Sequence, residues 1–168
     1  MPAQQQFSLL SDTLPEDLQE RVDIIRHKLK FTETRPTVLC VEQLEPMKVS
    51  GTQIAELTGI AGGIPALLPS SAISWSDVTE NDPDIIVLLL SGLSVPQTMS
   101  IISVLLQQPG FTELKVVKNN RIYIADAGQY FDNTNRYMAD ALEILAEIIN
   151  PKQFNFGYEG EGWIKFSL

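Results

Sequence analysis

The sequence predicts an α/β fold, a three-layer α-β-α lobe on a mostly parallel sheet, with a separate helix ahead of it. Three observations predict this. Apolar runs alternate with helical patterns along the chain, the order that places helices on both faces of a parallel sheet. Ile85-Ile86-Val87-Leu88-Leu89-Leu90 is apolar at every position, as a strand covered on both faces must be. Thr37-Val38-Leu39-Cys40-Val41 is a second, shorter run of the same kind.

The elements follow in order. Leu14, Leu18, Val22, Ile25 and Leu29 recur at three- and four-residue spacing after Ser11-Asp12, which predicts an amphipathic helix from Pro15 to Phe31. Pro15, Glu16 and Asp17 suit its first turn, and Arg26, His27, Lys28 and Lys30 suit its last. Arg35-Pro36 breaks the chain before the strand Thr37–Val41, which runs into a loop at Glu42-Gln43-Leu44-Glu45-Pro46. A helix is expected from Ser50 to Ala61, stopped by Gly62-Gly63, then a short strand at Ile64–Leu68. Ser74, with Asp77 three residues on, caps a short helix through Glu80. Asp82-Pro83-Asp84 ends that helix, Ile85–Leu90 follows as the central strand, and Ser91-Gly92 turns the chain. Pro96–Gln107 reads as a helix ended by Pro109-Gly110. Lys115-Val116-Val117, Asn119-Asn120 and Arg121–Ala125 read as a hairpin, because Asn tolerates the positive φ of such turns. Asp126–Asn133 is a loop, and Thr134 or Asn135 opens a long helix to Ile149, stopped by Asn150-Pro151. The Gly- and aromatic-rich tail Lys152–Leu168 is expected to pack on the surface.

The 168 residues suit one core, and a 44% hydrophobic fraction is enough to build it. A net charge of −9 argues against nucleic acid and anionic membrane surfaces, both of which are bound through Lys and Arg. No run approaches the length of a membrane span, and Met1–Gln6 carries no secretory signal pattern. The single cysteine, Cys40, lies in an apolar strand and reads as a buried thiol.

Most catalytic patterns are missing. One His and one Cys on different elements give no metal-site spacing, and no cofactor is expected. Gly59-Ile60-Ala61-Gly62-Gly63 follows a helix, whereas a phosphate cradle precedes one. His27 sits on the first helix and no Gly-x-Ser-x-Gly elbow exists, so a triad hydrolase is not indicated. Glu42 and Glu45 follow a parallel strand and suit either acid–base work or the satisfaction of loop N–H groups. The chain is not expected to be an enzyme.

The carboxyl ends of the strands carry three loops: Glu42–Pro46, Ser91–Ser94 and Gly128–Asn133. A parallel sheet brings such loops to one edge. Together they offer Tyr130, Phe131, Gln129, Gly92 and Glu42, a face suited to a flat amphiphilic ligand. Tyr130 and Phe131 equally suit anchoring the loop to the core.

The order Arg35-Pro36-Thr37-Val38-Leu39-Cys40-Val41-Glu42, Glu45-Pro46, Gly51, Glu56-Leu57 and Ala61-Gly62-Gly63 resembles the class III periplasmic binding proteins of cobalamin, haem and iron-siderophore ABC transporters. Ser74-Trp75 with Val78, Asp82-Pro83-Asp84-Ile85-Ile86-Val87, Val117-Lys118-Asn119-Asn120-Arg121-Ile122-Tyr123 and Gly128-Gln129-Tyr130-Phe131 continue the resemblance. It implies two lobes joined by a long helix, with ligand between them and no catalysis. Residues 1–34 then hold a tail and the linking helix, 35–151 the carboxy-terminal binding lobe, and 152–168 a surface-packed tail. The amino-terminal lobe is not in this chain. The implied ligand is a corrinoid, haem or iron chelate, and the implied partner an ABC permease. At the position where the family often carries a docking Glu stands Ser76, leaving Asp77 beside it as the docking candidate. Cobalamin-binding members tend to carry Trp and His-Trp where this chain has Gln43 and Thr52-Gln53. A cell-envelope location follows for a piece of the full protein, and a cytoplasmic one if Met1 is the natural start. The alternative is a stand-alone half-protein acting as an interaction or homodimerisation module.

Overall fold

A computed structural model describes residues 16–132 and 134–168. The expected helix start at Ser11–Pro15, and Asn133 in the third loop, lie outside the described residues. The chain folds in the order α1 (Glu16–Leu29), β1 (Thr37–Leu44), β2 (Met47–Val49), α2 (Thr52–Ile60), β3 (Ile64–Pro65), α3 (Trp75–Asn81), β4 (Ile85–Leu88), α4 (Val95–Ile101), α5 (Ser103–Leu106), α6 (Lys115–Lys118), β5 (Ile122–Ala125), α7 (Ala127–Tyr130), α8 (Thr134–Ile149) and β6 (Trp163–Phe166).

The six strands form one sheet in the order β2-β1-β4-β5-β6, with β3 beside the start of β1. β1 pairs in parallel with β3 and β4, and β4 with β5. Only the outer pairings, β1 with β2 and β5 with β6, are antiparallel. The period of two explains the unbroken apolar runs. Val38, Cys40, Ile85, Val87, Leu89, Tyr123 and Ala125 face the layer of α1, α2 and α8. Leu39, Val41, Ile86, Leu88, Leu90, Ile122 and Ile124 face the opposite layer, built from the segment between α3 and α6. Both faces are buried, so alternation is invisible in the sequence. The result is the three-layer α-β-α lobe with a mostly parallel sheet.

Local signals account for the boundaries. α2 ends in a Schellman motif: Gly63 N–H donates to Thr58 O and Gly62 N–H to Gly59 O, with Gly62 at φ +103°. A side chain there would also have to fit within 2.7–2.9 Å of Asn150 and Leu29. Ser74 and Asp77 form the expected reciprocal capping box on α3. α1 carries its acidic residues in the first turn and its basic ones in the last. It packs on α8 and α2 through Leu18, Val22 and Ile25, and Arg21 reaches Asp140 and Glu143 on α8.

Three expectations are corrected. Lys115–Ala125 is not a hairpin: Lys115–Lys118 is a helical turn, and β5 pairs with β4 and β6. The positive φ expected of the Asn pair is real at Asn120 (+55°), but it ends that helical turn. Glu42–Pro46 is not all loop, since β1 runs on to Leu44 and turns at Glu45-Pro46 into β2. The tail does more than cover the surface: β6 adds an antiparallel edge strand, with Trp163 opposite Ala125 and Phe166 opposite Ile122.

That edge strand is held by α8. Glu147, buried on α8, accepts hydrogen bonds from Trp163 Nε1 (2.7 Å) and from the backbone N–H groups of Phe156 and Tyr158. Tyr158 Oη donates to Asp140 (2.6 Å) and lies 3.0 Å from a Glu143 carboxylate oxygen, and burial raises the Glu143 carboxyl above its ordinary range.

Candidate functional site

The carboxyl ends of β1, β4 and β5 meet at one rim, because parallel strands deliver their following loops to the same edge. Backbone hydrogen bonds tie the loops together. Ser91 N–H donates to Glu42 O (3.1 Å), and Gly128 N–H donates to Leu93 O (3.1 Å). The Asp132 carboxylate completes the rim, accepting from Gly92 N–H (2.5 Å) and, at 3.4 Å, from Ser91 Oγ. The β1–β2 hairpin returns the chain to the same place, where Ser50 N–H donates to Cys40 O (2.9 Å).

These segments enclose a hollow of about 240 Å³ lined by Glu42, Ser50, Ile54, Leu89, Ser91, Phe131 and Asp132. Its apolar lining comes from Ile54, Leu89 and Phe131, and its polar groups are two carboxylates and two hydroxyls. Larger hollows, of about 700 and 550 Å³, open at the amino ends of the strands, around Arg35. Several of their charged groups are held within the fold, although the Thr32 hydroxyl in the larger one is buried without a partner. Asp84 accepts from Thr37 and Lys115, which holds its carboxyl below the usual range, chiefly through the Thr37 backbone N–H. Arg121 donates to Tyr123 Oη and to the Ile148 carbonyl, and Arg35 to the Gly59 carbonyl. The smaller rim hollow lies at the carboxyl ends of the strands, where sheets of this kind take their ligands, and is the better candidate site.

The sequence-read candidates divide. Glu42 lines the hollow and pairs with Lys48 at 3.4 Å. Gly92 stands exposed in the turn at φ +77°, its N–H turned to Asp132. Phe131 is only 7% exposed and belongs to the core, so its ring anchors the loop and offers the hollow one edge. Tyr130 is half-buried and packs edge-to-face on Tyr137 and Tyr158 at 5.8 and 5.9 Å. Gln129 is exposed, its N–H donating to Asp126 Oδ1. Neither Tyr130 nor Gln129 lines the hollow. Asp77 is on α3 and does not line the hollow; its carboxylate accepts from Ser74 N–H (2.9 Å) and Ser74 Oγ (3.1 Å). Ser50 and Asp132 were not legible as site residues: one needs the hairpin to bring it back, and the other sits in a loop whose aromatics draw attention first.

Cys40, beneath the hollow on β1, is a structural thiol. Burial pushes its pKa up to about 12, against a weak contact with Thr58 Oγ1 at 3.7 Å. At pH 8 the thiolate fraction is then on the order of 10⁻⁴. A thiol-reactive dye at pH 8 is expected to label the native protein negligibly over an hour and to label one equivalent in 6 M guanidinium. Rapid labelling of the native protein would refute a sealed thiol.

Among the described residues no group of three or more His, Cys, Asp or Glu is placed to hold a metal ion. Nor does any described helix have the length and apolarity to cross a membrane.

No protein-family model matches the chain, and no curated protein sequence matches it. Solved structures do. The TroA-like periplasmic binding protein FepB from Veillonella parvula superposes with a TM-score of 0.67 at 19% identity, over 89% of this chain and 54% of its own. A periplasmic heme-binding protein from Pseudomonas aeruginosa gives 0.60 at 19% identity, over 81% of this chain and 50% of its own. An ABC-type Fe3+-hydroxamate transport protein from Saccharomonospora viridis gives 0.62 at 20%, over 80% and 47%. The chain thus spans about half the length of the structures it matches. The likeness falls on the carboxy-terminal part of those proteins. The chain has the fold of the carboxy-terminal lobe of the TroA-like periplasmic binding proteins.

Proposed function

We propose that this chain is the carboxy-terminal ligand-binding lobe of an ABC-transporter substrate-binding protein that takes up an iron chelate, haem or a corrinoid at the cell envelope. One observation carries the proposal: the end of β1 and the loops after β4 and β5 are hydrogen-bonded into a single rim around a hollow lined by both polar and apolar side chains. Such a mixed surface suits a ligand of the same character. The binding roles of proteins with this fold support the same direction. Ligand is held on the rim by Glu42, the Ser91-Gly92 turn and the edge of Phe131, with Gln129 and Tyr130 reached by a larger ligand at its margin. A second lobe would supply closure, and Asp77 on α3 offers a carboxylate to a permease arginine once it gives up its cap.

Titration calorimetry of the chain with a ferric trihydroxamate, haem and cyanocobalamin tests the proposal. With half the contact surface, binding of one of them is expected on the order of 10–100 μM. Loss of that heat in a Glu42→Gln, Asp132→Asn double variant would locate it on the rim. No heat from any of the three at 200 μM chain, roughly twice the weakest expected dissociation constant, would overturn the proposal. A sedimentation run addresses the alternative: a stable dimer at micromolar concentration that buries the rim would favour a stand-alone interaction module.

A further inference from the structure

We infer that the rim hollow is a subsite for an ammonium group, so the ligand carries a primary amine or comparable cationic hydrogen-bond donor beside its apolar body. This rests on the reading of the rim as a ligand site and adds the chemistry that site selects.

Three acceptors converge there. Glu42 and Asp132 both line the hollow, one at the end of β1 and the other in the loop after α7. Ser50 lines the same hollow and is 4% exposed, yet its hydroxyl oxygen is buried without a hydrogen-bond partner. A buried polar group left unsatisfied costs about 1–3 kcal/mol, so an unpaired hydroxyl at the wall of a hollow is a group waiting for a donor or acceptor. Two carboxylates beside it decide which. An ammonium brings three donors and no acceptor, and three acceptors face it.

The competing electrostatics are weaker. The amino end of α2 also reaches the hollow through Ile54 and has no side-chain cap at Gly51. A helix start contributes about half a positive charge, against two full carboxylates. Asp132 spends one lone pair on Gly92 N–H and another, weakly, on Ser91 Oγ, which leaves acceptor capacity on both oxygens. Among the described residues Glu42 is paired with Lys48, whose side chain is 43% exposed. An exposed pair of this kind is worth little, so an incoming ammonium displaces it at small cost. Lys48 also shows that an ammonium is accommodated beside Glu42. The net charge of −9 favours a cation over an anion at every stage of approach. Anionic chelates, by the same logic, are disfavoured at this rim.

The test uses the full chain and simple probes. n-Butylammonium chloride, sodium butyrate and neutral n-butanol are titrated against ¹⁵N-labelled protein while the amide signals of Ser50, Ser91 and Gly92 are followed. Butylammonium is expected to shift these signals saturably at millimolar concentration, at least about tenfold more tightly than butanol. Butyrate is expected to leave them unmoved. Glu42→Gln and Asp132→Asn should each weaken butylammonium about tenfold and leave butanol unchanged. Ser50→Ala, which cannot disturb the charge, should weaken it severalfold. Equal shifts from butanol and butylammonium, saturation by butyrate, or no saturable shift from butylammonium would each overturn the inference. The probes contain no iron, haem or corrin, so this outcome is independent of the calorimetric test above. Chelate binding without ammonium selectivity would leave the rim a ligand site of different chemistry.

Discussion

Replacing Glu147 by alanine is expected to destabilise the protein by about 3–5 kcal/mol, the largest loss expected from any single substitution considered for this chain. The side chain is 3% exposed and serves three donors: Trp163 Nε1 and the backbone N–H groups of Phe156 and Tyr158. Alanine removes every acceptor and leaves those donors facing an apolar interior. Each stranded donor costs about 1–3 kcal/mol, and partial relaxation of the tail keeps the sum below the maximum. The damage should be local at first. Residues 150–162 lose their anchor, β6 peels from β5, and the edge-to-face contact of Trp163 with Tyr123 at 5.5 Å is lost. Trp163 fluorescence should therefore shift to the red below the main urea transition, and the melting temperature should fall by roughly 10 °C. Glu147→Gln keeps one carbonyl oxygen in place and should cost less than about half as much. An alanine variant within 1 kcal/mol of wild type would mean that the network in α8 contributes nothing net.

Glu147 also marks where sequence reading stops. β1 and β4 were legible because a strand buried on both faces must be apolar throughout, and nothing else in the chain matches Ile85–Leu90. The capping box at Ser74 and Asp77 and the stop at Gly62-Gly63 were legible because their chemistry is contained within a few residues. β6 was not. Trp163-Ile164-Lys165-Phe166 lies in a Gly-rich stretch, and what fixes it is a carboxylate sixteen residues earlier on a helix. Val116 and Val117 gave a false strand because a short β-branched run carries the same local signal whether it pairs or packs. Here Val116 is buried under the sheet as part of a helical turn. The site was half legible on the same grounds. A parallel sheet forces its strand-end loops to one edge, so the meeting of Glu42 and the Ser91-Gly92 turn at one rim followed from topology alone. Phe131 read equally as a ligand contact and as a loop anchor, because exposure cannot be read from one loop; its ring packs in the core and lines the hollow. Ser50 reaches the rim hollow only through the turn at Glu45-Pro46, which folds β2 back and sets Ser50 beside Cys40.

The rim itself depends on two glycines meeting, and Gly128→Val is expected to open it. A Cβ at Gly128 would stand 3.2 Å from Gly92 O and 3.3 Å from Gly92 C. Both are backbone atoms, so relief requires moving the Ser91-Gly92 turn rather than rotating a side chain. A valine adds two methyl groups to that Cβ, and overpacking of this kind costs about 1–3 kcal/mol. The displaced turn would take Gly92 N–H away from Asp132 and weaken the bond from Gly128 N–H to Leu93 O. Amide exchange at Gly92 should then accelerate at least about tenfold, since a loss of 1.4 kcal/mol in local protection is a factor of ten. Exchange at Leu88, in the centre of the sheet, should rise only with the global loss of stability. Butylammonium binding should weaken by at least about tenfold as well, because Asp132 loses the contact that aims it into the hollow. Gly128→Ala separates the two effects: its single methyl needs a shift of only a few tenths of an ångström and should give an intermediate result. If Gly128→Val leaves the Gly92 amide as protected as in wild type, the two loops are not held in register by this contact, and the rim is shaped from β1 and β4 alone.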